Sequence, residues 1–215
     1  PGRLEEIAGL IRRYLPTVKS IGCFARVTDA GLKSDEELRR LRSLGYDGLT
    51  VGVETGDGEA LAFMNKGYQA RDIVEQAARL DGAGISYSFF YLAGISGAGR
   101  GREGALRSAE VFNRTRPVRV GSSMLTVFPD SELYREIQAG NWKEESELEK
   151  LEELKVLIEH LVIPTRFETD GASNLVHVRG ELPRDRAALA GYLERLIAGA
   201  DEESLRAYRV NLKHL

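Results

Sequence analysis

Cysteine is almost absent from this chain: Cys23 is the only one among 215 residues. An internal disulfide is therefore excluded, and a reducing compartment, the cytoplasm, is the default expectation. Histidine is scarce as well. His160, His177 and His214 stand far apart in the sequence, none with a ligand partner three or four residues away, so no metal site built from protein side chains alone is expected. No apolar run approaches the ~20 residues that span a bilayer, and no signal peptide opens the chain, so no membrane partner is expected. Excess positive charge is missing too: the net charge is −3 and the pI near 5.8, which argues against a nucleic-acid surface. The basic pairs Arg12-Arg13 and Arg39-Arg40 sit among acids, as solvated helix faces do. GxSxG is absent, and Cys23 has no histidine in a recognisable nucleophile context. The glycine-rich stretch Gly94–Gly101 (GISGAGRG) lacks the Lys-Ser/Thr of a P-loop and the GxGxxG spacing of a dinucleotide site; it reads equally as a mobile βα loop over a site.

What the chain does have is enough apolar content, 42%, for one sizeable core, and a regular alternation of strands and helices. Arg3–Tyr14 carries Leu4, Ile7, Leu10, Ile11 and Tyr14 at helical spacing and stops before Pro16. Strands are predicted at Ser20–Val27, Leu49–Glu54, Ile85–Leu92 and Pro117–Val127, with helices at Asp35–Leu44, Glu59–Asn65, Ala70–Asp81 and Glu103–Asn113 between them. Ser34 with Glu37 three residues on forms a capping-box signature. Strand starts about thirty residues apart are the rhythm of βα units, which implies parallel pairing and right-handed crossovers. Four such strands do not close an eight-stranded barrel, and the chain opens with Pro1 inside a helix, so the first strands of the sheet are expected upstream. Residues 1–129 thus read as a partial βα barrel. Residues 130–215 read as a mainly helical extension, with helices at Ser131–Ala139, Glu144–Leu161, Asp185–Ala198 and Asp201–Val210. Val162–Glu168 is a possible strand there, placed at a sheet edge by Pro164, and the leucine stripe 148, 151, 154, 157 and 161 faces a core.

The richest stretch is Leu49–Gly67, LTVGVETGDGEALAFMNKG. A short buried strand ends on Glu54, a Thr-Gly-Asp-Gly turn follows, and a helix runs to Gly67. The plain reading of Glu54 is a capping or salt-bridged acid. Yet Arg26, Glu54, the backbone of 92–95 and that of 126–128 all fall at the carboxyl ends of successive strands, the rim on which βα sheets build sites. Glu54 suits a ligand's ammonium, and Arg26 or Lys66 its carboxylate. Residues alone stop at a ligand-binding α/β domain.

The ordered motifs VGVETGDGEALAFMNKG, GISYSFFYLAGISGAGRG, LTVFPDSELYREI and TRFETDGASNLVHVRGELPRDRAALAGYL resemble the radical S-adenosylmethionine (SAM) enzymes. The likeness is to the Fe–S oxidoreductases related to oxygen-independent coproporphyrinogen oxidases, and it covers nearly the whole chain. It implies a partial (βα)6 TIM-like barrel in which SAM lies across the strand ends and chelates a [4Fe–4S] cluster. Electron transfer cleaves SAM to a 5′-deoxyadenosyl radical that abstracts hydrogen from a small-molecule substrate, so an electron donor is also implied. By the same resemblance Glu54 faces SAM and Lys66 lies near its carboxylate. Phe90 and Leu92 lie beside ribose and adenine, Gly94 ends its strand, and Thr126 and Val127 flank the adenine. Phe90 departs from relatives that carry an acid there, and Gly171 stands where histidine is expected. The cluster's CxxxCxxC segment and a GGE segment are not in this sequence, and both are expected upstream, which would leave this chain inactive alone. Two other readings are a cluster-free barrel lyase or isomerase with Glu54 as base, and a degenerate, non-catalytic binding domain.

Overall fold

The computed structural model describes residues 2–211; His214 lies outside them. Helix α1 (Gly2–Tyr14) leads to a short strand β1 (Phe24–Arg26), then helices α2 (Val27–Gly31) and α3 (Asp35–Ser43). Strand β2 (Leu49–Glu54), helices α4 (Gly58–Phe63) and α5 (Ala70–Gly82), β3 (Tyr87–Ala93), α6 (Gly101–Phe112) and β4 (Arg119–Met124) continue the βα rhythm. Then come α7 (Glu132–Gln138), α8 (Glu147–His160), β5 (Thr165–Glu168), β6 (Arg179–Leu182), α9 (Arg186–Gly199) and α10 (Glu202–Val210). The six strands form one sheet in sequence order, β1 to β5 parallel and β6 antiparallel to β5.

Alternation sorts the two faces. Leu49, Val51 and Val53 of β2, with Tyr87, Phe89 and Tyr91 of β3, are buried with Ile73, Leu80, Phe112, Leu154 and Leu157 from the helices. The opposite face carries Phe24, Thr50, Gly52, Glu54, Phe90 and Arg119, and is open enough that Phe24 is 87% exposed. A mostly parallel sheet with helices on one face and the other face open is a partial α/β barrel. No helix among the described residues is long and apolar enough to cross a membrane.

Three elements differ from the sequence expectations. The strand predicted over 20–27 shrinks to Phe24–Arg26, with Ile21 making only an isolated bridge to Tyr46. The Asp29 carboxylate accepts from the Arg26 amide at 2.9 Å and pairs with its guanidinium at 2.9 Å, starting α2 at once. Strand β5 is not an edge: it lies between β4 and β6. Pro164 stands just before it and removes no ladder hydrogen bond. The edge is β6, which sequence periodicity does not predict. Residues 130–211 add both strands to the same sheet, and Leu151, Leu154, Leu157, Phe167 and Leu193 to the same core.

Candidate functional site

At the end of β2 the backbone leaves ordinary strand geometry. The pairing of β2 with β3 shifts by one residue between Gly52 and Glu54. Glu54 then takes a left-handed conformation, φ +57°, and the Thr55 amide turns back to donate to the Val53 carbonyl at 2.5 Å. A non-glycine residue in this region costs on the order of 1–3 kcal/mol and persists only where its surroundings fix it. The result is that the Glu54 side chain lines an open groove of about 360 Å³ together with Phe24, Arg26, Thr50, Gly52 and Phe90. Lys66 Nζ lies 4.0 Å from Glu54 Oε2. Burial holds the Glu54 carboxyl above its ordinary pKa, and the Lys66 charge opposes that only in part.

The turn after Glu54 is fixed from behind. Thr55 and Asp57 are buried; the Gly56 amide donates to Ser108 Oγ at 2.7 Å, and Thr55 Oγ1 lies 3.0 Å from the same hydroxyl. Asp57 caps α4 through the Glu59 amide at 3.1 Å and pairs with Arg107 at 2.8 Å. A Cβ on Gly56 would stand 2.6 Å from the Ser108 Cα, which is backbone of α6 and has no rotamer to give. Gly56→Ala should therefore cost about 2 kcal/mol, read as a lower midpoint in urea; an unchanged midpoint would mean that α6 does not press on this turn.

The other residues singled out in the sequence fall into three places. Arg26, Glu54 and Phe90 meet in the groove, and Lys66 joins them through Glu54. Arg26 is engaged by Asp29, so a ligand carboxylate would compete for it. Leu92 follows Phe90 on the same strand face, half-buried. Gly94 begins the glycine-rich loop, whose amides are occupied: Gly94 donates to Glu153 at 2.6 Å, Gly99 to Glu149 at 2.9 Å and Ala98 to the Lys143 carbonyl at 2.9 Å. That loop is pinned to the segment before α8 and to α8 itself, and those three amides are spent, so it is neither a free phosphate cradle nor an untethered lid. Thr126 and Val127 lie apart from the groove, lining a separate cavity of about 210 Å³ with Glu144, Glu147, Arg206 and Arg209. At Gly171 a Cβ would collide with Ser123 Oγ, with Asn174 Nδ2 at 3.2 Å, so a histidine there would require the Ser123 hydroxyl to turn away.

Sequence reading missed Tyr68, whose hydroxyl reaches back to the end of β2 at 2.9 Å from the Val53 carbonyl. It also missed a buried charge cluster on α8 made by Glu147, Lys150 and Glu153. Neither is readable from periodicity: Tyr68 is placed by the left-handed turn before it, and the α8 cluster by partners far away in the chain.

No protein-family model matches this chain, and no curated protein does. Solved structures do. One is the archaeal Methanocaldococcus infernus Elp3 with an N-terminal deletion, at TM-score 0.59 and 20% identity over 82% of this chain and 42% of that one. Another is methylornithine synthase, PylB, at TM-score 0.52 and 15% identity over 96% of this chain and 66% of that one. The fold is that of the radical SAM barrel. The chain spans less than two thirds of the length of either structure.

The two groups that a radical SAM barrel implies fit these residues differently. Cys23 is free, and among the described residues no three His, Cys, Asp or Glu side chains are grouped to hold a metal. An iron–sulfur cluster therefore has no ligand set here. A zwitterionic ligand such as SAM suits the residues present better: Glu54, Arg26 and Phe90 line one open groove, with Lys66 beside Glu54, and would offer a carboxylate for an ammonium, cations for a carboxylate and a ring for an apolar surface.

Proposed function

We propose that this chain is the SAM-holding part of a radical SAM enzyme of the cytoplasm, its cluster ligands supplied by sequence upstream of Pro1. SAM held there, on taking one electron that originates from an external donor, would supply a 5′-deoxyadenosyl radical, with methionine released, for hydrogen abstraction from a small-molecule substrate. The observation that carries this reading is Glu54, turned into the groove by a left-handed backbone beside Lys66. The residues of this chain bind and orient. Glu54 accepts the ammonium, Lys66 and Arg26 compensate carboxylate charge, and Phe90 shields one side of the groove from water. Glu54→Ala in the complete protein should weaken SAM binding at least tenfold by calorimetry, about 1.4 kcal/mol, with the fold retained. Unchanged affinity would remove Glu54 from the SAM site.

A second reading is a cluster-free lyase or isomerase using Glu54 as general base. It draws support from the raised proton affinity that burial gives that carboxyl, which makes it a stronger base than an exposed glutamate. The two separate on the upstream sequence: CxxxCxxC supports the first, and its absence the second.

A further inference from the structure

The left-handed Glu54 needs something to hold it, and the structure assigns that task to Tyr68, fourteen residues on. We propose that Tyr68 is a positioning residue for the groove. Its hydroxyl donates to the Val53 carbonyl at 2.9 Å, with the Gly52 carbonyl at 3.4 Å. These are the two carbonyls within the register shift of β2, which runs from Gly52 to Glu54. The same Val53 carbonyl accepts the Thr55 amide that closes the turn around Glu54. A single oxygen atom is thus held from both sides, and Glu54 is the residue between.

Tyr68 is brought there by two left-handed residues, Asn65 at φ +49° and Gly67 at φ +75°. They fold the segment after α4 back over the strand end. The fold also delivers Lys66 to Glu54, so one short connection supplies both the cation and the backbone clamp. Tyr68 is half-buried, and burial beside the Glu54 charge raises its phenol pKa, so it remains a donor at working pH. Without the hydroxyl, the Val53 carbonyl loses one of its two donors and Glu54 is free to relax toward an ordinary strand conformation, out of the groove.

The proposal rests on Glu54 lining the groove and deepens the SAM reading without depending on it. The test is Tyr68→Phe in the complete protein, which removes one oxygen atom and keeps the ring. The Glu54 carboxyl is followed by 13C NMR titration, its signal assigned with Glu54→Gln. The midpoint should fall by at least half a pH unit toward the ordinary glutamate value as the carboxyl becomes solvated, and an unchanged midpoint overturns the proposal. SAM affinity gives the second arm. Tyr68→Phe should weaken it about tenfold in the natural background and less than twofold when Glu54 is already Gln. Equal losses in both backgrounds would mean that Tyr68 acts on its own, which also overturns the proposal. A shifted midpoint with SAM affinity unmoved in every variant sustains Tyr68 as the clamp and sinks the SAM reading instead.

Discussion

Glu147→Ala should destabilise the protein by about 3–5 kcal/mol, the cost of breaking a buried ion pair from one side. Glu147 has no exposed surface, and three cations converge on its Oε1: Arg209 at 3.1 Å, Arg206 at 3.3 Å and Lys150 at 3.4 Å. Lys150 is itself fully buried and keeps only Glu144, at 2.8 Å, when Glu147 is gone. Arg209 keeps the carbonyls of Ser173 and Leu125, at 3.1 and 2.5 Å, but no opposite charge of its own among the pairs described. Two cations would then sit in a dry interior with one remaining carboxylate, and desolvation dominates. For a chain of this size the loss corresponds to a fall in Tm of about 10 °C. Because Arg209 joins α10 to the end of β4 and to the turn before β6, hydrogen exchange should rise first in α10. Glu147→Leu combined with Lys150→Met should recover only part of the loss, since it removes the stranded Lys150 charge while Arg209 stays buried without an opposite charge. A single-variant loss below about 1 kcal/mol would show that water reaches the cluster.

That cluster also shows where the sequence stops being readable. The leucines of α8 mark one apolar stripe, and Leu151, Leu154, Leu157 and Leu161 are buried as that stripe predicts. Glu147, Lys150 and Glu153 read as the solvated face. They are buried because Arg206 and Arg209, some sixty residues on, and the glycine-rich loop, some fifty residues back, close over them. Local periodicity cannot carry that information. The βα rhythm is local and was legible: hydrophobic alternation placed β2 and β3, and the capping box of Ser34 and Glu37 set the start of α3. Strand β6 was not, because Arg-Gly-Glu-Leu has a glycine and two charges in four residues. Its pairing is specified across the sheet, by Arg166 with Glu181 at 2.9 Å and Glu168 with Arg179 at 3.5 Å. In the groove, Arg26, Glu54 and Phe90 were legible as strand-end and strand-face residues. Tyr68 was not, since its place depends on two left-handed residues in the preceding turn.

Stability should fall as pH rises from about 5 toward 10, and Glu145→Gln should flatten that dependence. Glu153 is spent on the rim: its carboxylate accepts the Tyr91 hydroxyl at 2.5 Å and the Gly94 amide at 2.6 Å. Glu145, 1% exposed, packs beside it, and neither of its oxygens meets a donor. Two adjoining carboxyls in a dry site are satisfied only by a shared proton, so burial raises the pKa of both, with Glu145 pushed up to about 10. The unfolded chain gives up that proton near the ordinary glutamate value, about 4.3. Between the two values the folded state binds more protons than the unfolded one, so raising the pH favours unfolding, by up to about 1.4 kcal/mol per pH unit for one proton. Glutamine at 145 carries a permanent N–H to Glu153 and has no proton to lose. Urea midpoints measured at pH 6, 8 and 9.5 should therefore descend steeply for the natural chain and less for the variant, which becomes the more stable of the two at the alkaline end. Parallel descents would mean that the shared proton is not at Glu145. Since Glu153 holds the Gly94 amide where β3 ends, the same proton also secures the loop that follows the strand of Phe90 and Leu92, and its loss should loosen that loop before the sheet.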